Sequence, residues 1–314
     1  MDRLVGRVAV VNGGPGAWAF EAAATRIADA LWIPIEPVPV NAPVSWNYFL
    51  AWDDERWKPW PEAAMTHKSF IPIGAILISS DKRALARRFA EAGVATPETN
   101  LVDEPAEVAR FISAHPEAEW ALKWPCGLGA TGHRLLQGEP PSLDWPRPYV
   151  VQEFVRLDLP EVYRLYAAAG QTFGWNVRRF PPGIAPGPWV AHAQGARYEK
   201  CGEPPADAIT AARSAFAAVG LLDSFGCADL VRRPRDGAWL VLEVGTDGPL
   251  GIVDRDIGIQ EIEEEIDRRL AMAFWDRAGH AVNGGRAAAS PFAGEPTRYP
   301  WAPGPWRRRS EAIR

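Results

Sequence analysis

Two apolar segments in the second half of the chain each carry one acidic residue. They span 225–231 and 238–244, and their acids are Asp229 and Glu243. The polar residues 235–237 between them predict a β-hairpin. Pairing outward from that turn makes Asp229 and Glu243 cross-strand neighbours on one face of the sheet. Two carboxylates so close repel each other unless a cation lies between them, and Mg²⁺, which prefers oxygen ligands, suits such a pair.

A basic side chain could supply that cation instead of a metal. Arg232, Arg233 and Lys200 are the candidates that the sequence offers. In that case the acids would take part in structural ion pairs and bind no metal. Apolar strands rarely carry facing acids without a partner, because charged side chains are almost never buried alone. The hairpin therefore predicts a cation, either Mg²⁺ or a basic side chain, beside the two acids.

Length and composition bound the class of protein. The 314 residues, 47% hydrophobic and 23% charged, suffice for one large domain or several lobes. A net charge of −5 does not indicate a nucleic-acid partner. The cysteines, Cys126, Cys201 and Cys227, are widely spaced and form no CxxC pair, which fits a reducing cytoplasm. No stretch approaches the roughly 20 apolar residues of a membrane span. We expect a cytoplasmic protein without a membrane partner, and a homodimer is left open.

Alternating strand and helix signals predict an α/β fold in several lobes. We expect strands at 7–11, 71–78, 119–123, 134–136 and 149–155, and a hairpin of 163–169 with 172–179. We expect helices at 17–31, 82–92, 104–114 (capped by Asp103), 206–219 and 259–275, with 32–61 irregular. The predicted units are an N-terminal lobe (1–78), a central lobe (79–150), a C-terminal lobe (151–280) and a Pro/Arg-rich tail (281–314).

A glycine-rich segment follows the predicted strand that ends at Lys123. Gly127, Gly129 and Gly132 lie within ten residues of this lysine. Glycines let backbone N–H groups approach phosphate oxygens closely, and the lysine adds a positive charge. It is not a Walker A loop, because the lysine precedes the glycines. The alternative is an ordinary glycine-rich turn with a surface lysine.

Two further patterns lie on the predicted strands that follow. Gln152 and Glu153 end an apolar strand whose backbone could meet an adenine edge, although taken alone the pattern favours a plain core strand. Alternation places Arg164 and Arg178 on one face of the next hairpin. Two cations there could meet a phosphate, or they could form a solvated face.

Taken in order, these segments resemble the ATP-grasp superfamily over about residues 79–258. The resemblance is carried by Ser80-Asp-Lys82, Lys123-Trp-Pro125 with its glycines, Val151-Gln-Glu-Phe-Val155, Arg164, Asp229 and Glu243-Val-Gly-Thr-Asp-Gly-Pro249. It implies an α/β ATP-grasp fold in which a central and a C-terminal lobe clasp ATP. It also implies an ADP-forming ligase that activates a carboxylate as an acyl phosphate for attack by an amine.

The resemblance assigns a role to each matching position. Lys82 and Lys123 would contact the ATP phosphates, and Gly127, Gly129 and Gly132 would form a lid over them. Adenine would be held by Gln152, Glu153 and Val155, and the ribose by Glu161. Phosphoryl transfer would involve Arg164 and Arg178, and Mg²⁺ would bind to Asp229 and Glu243. The family often has Asn two positions after the metal-binding Glu. Gly245 occupies that position here, and Asp247 is the candidate replacement.

Other functions remain open from the sequence. An ATP-grasp kinase and a nucleotide-binding scaffold without activity would share these motifs. The glycines after the first strand, 12–16, partly match a dinucleotide fingerprint, but the GxGxxG spacing is not met. His192 could assist near the phosphates, or it could have no role. The expected substrates are a small-molecule or peptide carboxylate and an amine.

Overall fold

The N-terminal part of the chain contains a small parallel sheet. The computed structural model describes residues 71–126, 129–130, 132–136, 145–246, 252–259, 261–266 and 269, and the backbone of five short strands. Strands β1 (Gly6–Val10), β2 (Ile35–Pro37) and β3 (Trp46–Leu50) pair in the order β2-β1-β3. The first strand is confirmed. The expectation that 32–61 is irregular was wrong, because this Pro- and Trp-rich stretch contains β2 and β3. The predicted helix 17–31 lies outside the described residues.

A four-stranded antiparallel sheet, here the central sheet, follows in the order β4-β7-β5-β6. It contains β4 (Thr99–Val102), β5 (Trp120–Lys123), β6 (Arg134–Leu136) and β7 (Tyr149–Glu153). Helix α3 (Pro105–Ala114) packs on it through Val108, which joins Trp120, Tyr149 and Val151 in one apolar cluster. The division proposed after residue 150 falls inside β7, whose pairing belongs to the central sheet.

A five-stranded antiparallel sheet, here the C-terminal sheet, has the order β10-β9-β8-β11-β12. Its strands are β8 (Val162–Ala168), β9 (Gln171–Arg179), β10 (Arg197–Lys200), β11 (Phe225–Arg232) and β12 (Trp239–Gly245). Helix α4 (Ala206–Val219) covers one face, burying Ala212, Ala215 and Phe216 in the largest core. Small alanines let this helix approach the sheet closely. The helix covers only this face, and the opposite face of the strands remains available to line a site.

Two consecutive helices, α1 (Ile73–Ser80) and α2 (Lys82–Ala92), pack against that same core. The strand predicted at 71–78 was wrong, because a short, wholly apolar run has no periodicity that separates a buried strand from a buried helix. Pro72 is the N-cap of α1, and its carbonyl accepts hydrogen bonds from the backbone N–H groups of Ala75 and Ile76 at 2.9 and 3.1 Å. Helix α2 has the predicted bounds, with Asp81 as its N-cap and Gly93 (φ 64°) at its C-terminus.

Two other element boundaries differ from expectation. Helix α3 is capped by Glu104, which exchanges hydrogen bonds with Glu107 in a capping box, and not by Asp103. The helix expected to begin at 259 is preceded by a short helix α5 (Ile252–Ile257) that ends at Gly258, and residues 261–266 are helical. In the tail, β13 (Val282–Asn283) pairs with β14 (Arg286–Ala287).

Candidate functional site

A cleft of about 320 Å³ lies between the central and C-terminal sheets. It brings together most of the residues that the sequence singled out: Lys82, Lys123, Gly129, Gln152, Glu153, Val155, Arg164, Arg178, Asp229 and Glu243. They come from α2, β5 and β7 on one side and from β8, β9, β11 and β12 on the other. Residues distant in sequence therefore meet in one cavity with charges of both signs.

The predicted pairing of the two acids is confirmed. Asp229 on β11 lies opposite Glu243 on β12, and the register shifts immediately afterwards at Leu230. Both side chains line the cleft. The Glu243 carboxylate is 43% exposed and lies 4.0 Å from the Lys82 ammonium, so it remains accessible to a ligand.

Arginines from neighbouring strands hold Asp229, which is almost fully buried. Arg164 donates to its two oxygens at 2.7 and 3.2 Å, and Arg178 donates to Oδ2 at 3.0 Å. Burial alone would raise the pKa of Asp229, but the two guanidinium groups outweigh burial and lower the pKa to about 2. The sequence had suggested other cations. The structure instead gives Arg233 the partner Asp236 and Lys200 the partner Glu261, and Arg232 donates to the Gly237 carbonyl.

Tyr198 on β10 completes this cluster and was missed from the sequence. Its hydroxyl accepts a hydrogen bond from Arg178 at 2.7 Å, and its ring lies 5.4 and 5.3 Å from the guanidinium carbons of Arg164 and Arg178. Arg178 also donates to the Val190 carbonyl at 2.8 Å. Three partners thus fix its guanidinium in place. The sequence signal that could have identified Tyr198 is an aromatic residue within the otherwise charged segment 197–200.

Lys123 lies at the end of β5 and faces the cleft from the central side. Burial lowers its pKa to about 8, Glu243 partly restores it, and the like charge of Lys82 lowers it further. Lys82 is the first residue of α2, and its backbone N–H donates to the Pro125 carbonyl at 2.8 Å. The start of α2 is thereby tied to the segment after β5, so the two lysines lie on one wall of the cleft.

The glycine-rich turn after β5 closes against the C-terminal side. Gly129 has φ 65°, and a Cβ at this position would lie 2.8 Å from the Cβ of Ala193. Both the positive φ and this close approach require glycine. Gly132 has φ 79° and packs against Trp124, outside the cleft lining. Gly127 lies outside the described residues.

The strand β7 leads into an apolar end of the cleft. Gln152 donates to the Thr99 hydroxyl at 2.8 Å, and the Glu153 carboxylate pairs with Arg235 at 3.4 Å. The sequence missed most of the apolar lining, which consists of Leu157, Val162, Trp189, Val190, Val231 and Leu242. These residues come from five separate segments, and only the folded sheet brings them together. The slot is suited to a flat, largely apolar group such as a nucleotide base.

Glu161 lies apart from the cleft. Its carboxylate accepts a hydrogen bond from the Tyr163 hydroxyl at 2.5 Å and pairs with Arg179 at 3.2 Å, beside a separate surface groove. Strand β8 explains this placement, because Val162 and Arg164 face the cleft while Tyr163 faces away. The geometry does not support the ribose contact expected for Glu161. Asp247 lies outside the described residues.

Asp229 and Glu243 suit Mg²⁺ as a pair of carboxylates. Mg²⁺ is commonly held by one or two carboxylates together with substrate phosphates and waters. Glu243 is accessible, and Asp229 retains part of its acceptor capacity because a carboxylate has about four lone-pair sites. Among the described residues, no cluster of three or more His, Cys, Asp or Glu side chains could bind a metal without a ligand's help.

Comparison with solved structures identifies the fold. D-cycloserine synthetase DcsG matches with 18% identity and a TM-score of 0.59, covering 88% of this chain and 99% of its own. The ATP-grasp ligase PsnB complexed with minimal precursor matches with 15% identity and a TM-score of 0.60, covering 86% of this chain and 99% of its own. D-alanine–D-alanine ligase from Bacillus anthracis matches with 13% identity and a TM-score of 0.59, covering 88% of this chain and 99% of its own.

The chain therefore has the ATP-grasp fold that its motifs implied. No protein-family model matches the sequence, and no curated protein matches it. Within the described residues, no helix is long and apolar enough to cross a membrane.

Proposed function

We propose that the protein is an ATP- and Mg²⁺-dependent ligase that joins a carboxylate to an amine and forms ADP and phosphate. One observation carries this proposal: two lysines on one wall of the cleft face two arginines and two acids on the other. This distribution suits a triphosphate and a metal ion between the walls. The structural neighbours, which include an ATP-grasp ligase and a D-alanine–D-alanine ligase, support the same chemistry.

In this proposal the central wall binds the nucleotide. The base occupies the apolar slot beside Glu153 and Val155, and the ammonium groups of Lys82 and Lys123 contact the phosphates. The glycine turn at Gly129 forms the lid that closes over them. Closure excludes water, which would otherwise hydrolyse an acyl phosphate before the amine could attack.

The C-terminal wall orients the reacting groups. Bound Mg²⁺, held by Asp229 and Glu243, would neutralise charge on the phosphoryl group during transfer. Arg164 and Arg178 present N–H donors beside this position, and Asp229 and Tyr198 hold both guanidinium groups in place. They would bind the substrate carboxylate and stabilise the negative charge that develops on it.

The substrates belong to the classes that such a cleft accepts: a small-molecule or peptide carboxylate and an amine. Two of the neighbouring structures contain PsnB with a minimal precursor, a third contains PsnB with a precursor peptide, and another contains the macrocyclase MdnC with a precursor peptide. A D-alanine–D-alanine ligase is also a neighbour, so free amino acids belong in the same screen.

The test is a screen for ADP formation with Mg·ATP, pools of carboxylates including L- and D-amino acids and peptides, and pools of amines. ADP formation that requires both an acid and an amine is the expected result. Glu243→Gln should abolish turnover while leaving the melting temperature within about 2 °C of wild type, because this side chain is partly exposed. A stable phosphorylated product would indicate a kinase instead. ATP binding without any turnover would indicate a scaffold.

A further inference from the structure

His192 lies at the arginine end of the cleft and has no part in the roles proposed above. It begins the short 3₁₀ turn His192–Gln194, and its side chain lines the cleft with 28% of its surface exposed. The following residue, Ala193, is the one that Gly129 of the lid approaches. The imidazole therefore lies where the lid meets the C-terminal wall.

A buried carboxylate orients this imidazole. Oδ1 of Asp256 lies 3.1 Å from Nε2 of His192, and Oδ2 accepts a hydrogen bond from the Tyr198 backbone N–H at 3.1 Å. The Asp256 side chain is only 5% exposed, so it is fixed at both oxygens and sheltered from water. Within the described part of the chain, Arg197 is a further charged group beside the pair, with Nε 4.0 Å from Oδ1. A carboxylate on Nε2 favours the tautomer whose Nδ1 can accept a proton.

Tyr198 and the segment just before His192 connect the His192–Asp256 pair to Arg178. Tyr198 donates its backbone N–H to Asp256 and accepts from Arg178 through its hydroxyl. Arg178 also donates to the carbonyl of Val190, two residues before His192. The oriented imidazole is thus built into the framework that positions a guanidinium group of the reaction centre.

We propose that His192 is the general base of amide-bond formation, with Asp256 as its positioning residue; this rests on the ligase function proposed above. The amine nitrogen attacks the carbonyl carbon of the acyl phosphate and forms the C–N bond. The C–O bond to phosphate breaks, and its electron pair leaves with the phosphate. The proton that the nitrogen loses passes to Nδ1 of His192, and the imidazolium that forms is paired with Asp256.

Hydroxylamine separates this role from one in phosphate binding. It is uncharged at neutral pH and attacks acyl phosphates without a base, so hydroxamate formation reports acyl-phosphate synthesis alone. With the acid and amine found in the screen, we expect His192→Gln to lower amide formation roughly 10²- to 10⁴-fold, the usual contribution of general-base catalysis. Hydroxamate formation should stay within about threefold of wild type, because general-base catalysis is not used in that reaction.

Two further variants test whether the loss of amide formation in His192→Gln comes from a change in structure rather than from loss of the base. Asp256→Asn keeps the imidazole but removes the charge behind it, so amide formation should fall less than in His192→Gln, again with hydroxamate formation retained. His115 lies outside the cleft, where its ring contacts the Phe111 carbonyl, and His115→Gln should leave both products unchanged. The pH profile is a further measurement. In wild type, amide formation should rise with pH more than deprotonation of the amine explains, and His192→Gln should lose this additional rise.

Each outcome decides between the proposals. Equal losses of amide and hydroxamate in His192→Gln would place the residue in phosphate binding and overturn the inference. Amide formation that persists in His192→Gln would overturn it as well, while leaving the ligase function intact. A wild-type protein that forms neither product with any acid would remove the ligase function and this inference together.

Discussion

The two walls of the cleft hold their charges in different ways. On the C-terminal wall, Arg164 and Arg178 both pair with Asp229, so these charges are held in fixed orientations before any ligand binds. On the central wall, Lys123 is buried, and burial lowers its pKa to about 8. A bound triphosphate would raise this pKa again, because its negative charge favours the protonated lysine. We therefore expect the C-terminal wall to set geometry and the central wall to contribute affinity for an anion.

The largest expected effect is on the C-terminal wall. Asp229→Ala leaves two buried guanidinium groups without their carboxylate, and breaking a buried pair in this way typically costs about 3–5 kcal/mol. Urea denaturation should show this loss in the free energy of unfolding, and ATP turnover should disappear. Asp236→Ala is the matched control, because Asp236 pairs with Arg233 in a solvent-exposed turn, and it should destabilise the protein far less. Equal costs would show that the C-terminal wall is not preorganised by its ion pairs.

A substitution on the central wall should weaken ligand binding without destabilising the protein. Lys123→Met removes a buried cation, so the free protein should melt no lower than wild type. Mg·ATP should bind roughly 10- to 100-fold more weakly by calorimetry, since a charge-assisted contact of about 1.5–3 kcal/mol is lost. Lys200→Met, at an exposed lysine paired with Glu261, is the control and should change neither quantity. Unchanged ATP affinity in Lys123→Met would remove this lysine from the phosphate site.

The lowered pKa of Lys123 predicts a pH dependence of nucleotide affinity. Below pH 8 the lysine is charged in both free and bound protein, so affinity is flat. Above pH 8 the free protein loses this proton, while the bound triphosphate favours its retention. Affinity for Mg·ATP should therefore fall as pH rises through about 8, by up to tenfold per pH unit. Lys123→Arg keeps its charge and should abolish the fall. A fall that persists in that variant would assign the titration to another group.

The smallest effect is expected at Glu161, which lies outside the cleft with Tyr163 and Arg179. Glu161→Gln should leave ATP affinity within about twofold of wild type, because this side chain contacts Tyr163 and Arg179 and does not line the cleft. Calorimetry with ATP and with its 2′-deoxy analogue checks this. A loss of more than tenfold, confined to ATP, would restore the ribose contact that the family resemblance implied.

Local sequence signals accounted for the hairpin and for α2, but not for the partners of Asp229. The pairing of Asp229 with Glu243 followed from turn position and alternation, which act over a few residues. Arg164 reaches Asp229 across 65 positions because β8 pairs with β11, and no local pattern encodes that pairing. Helix α1 was mistaken for a strand because its sequence is apolar nearly throughout and therefore shows no helical periodicity. The arginines could be named from the resemblance, but their carboxylate partner could not.

The central claim is that a triphosphate and Mg²⁺ lie between the two walls. A crystal structure with Mg²⁺ and a non-hydrolysable ATP analogue tests it most directly. We expect the base beside Val155 and Leu242, the phosphates between Lys123 and Glu243, and the metal on Glu243 and Asp229. A nucleotide bound elsewhere, or phosphates remote from Lys123, would contradict it.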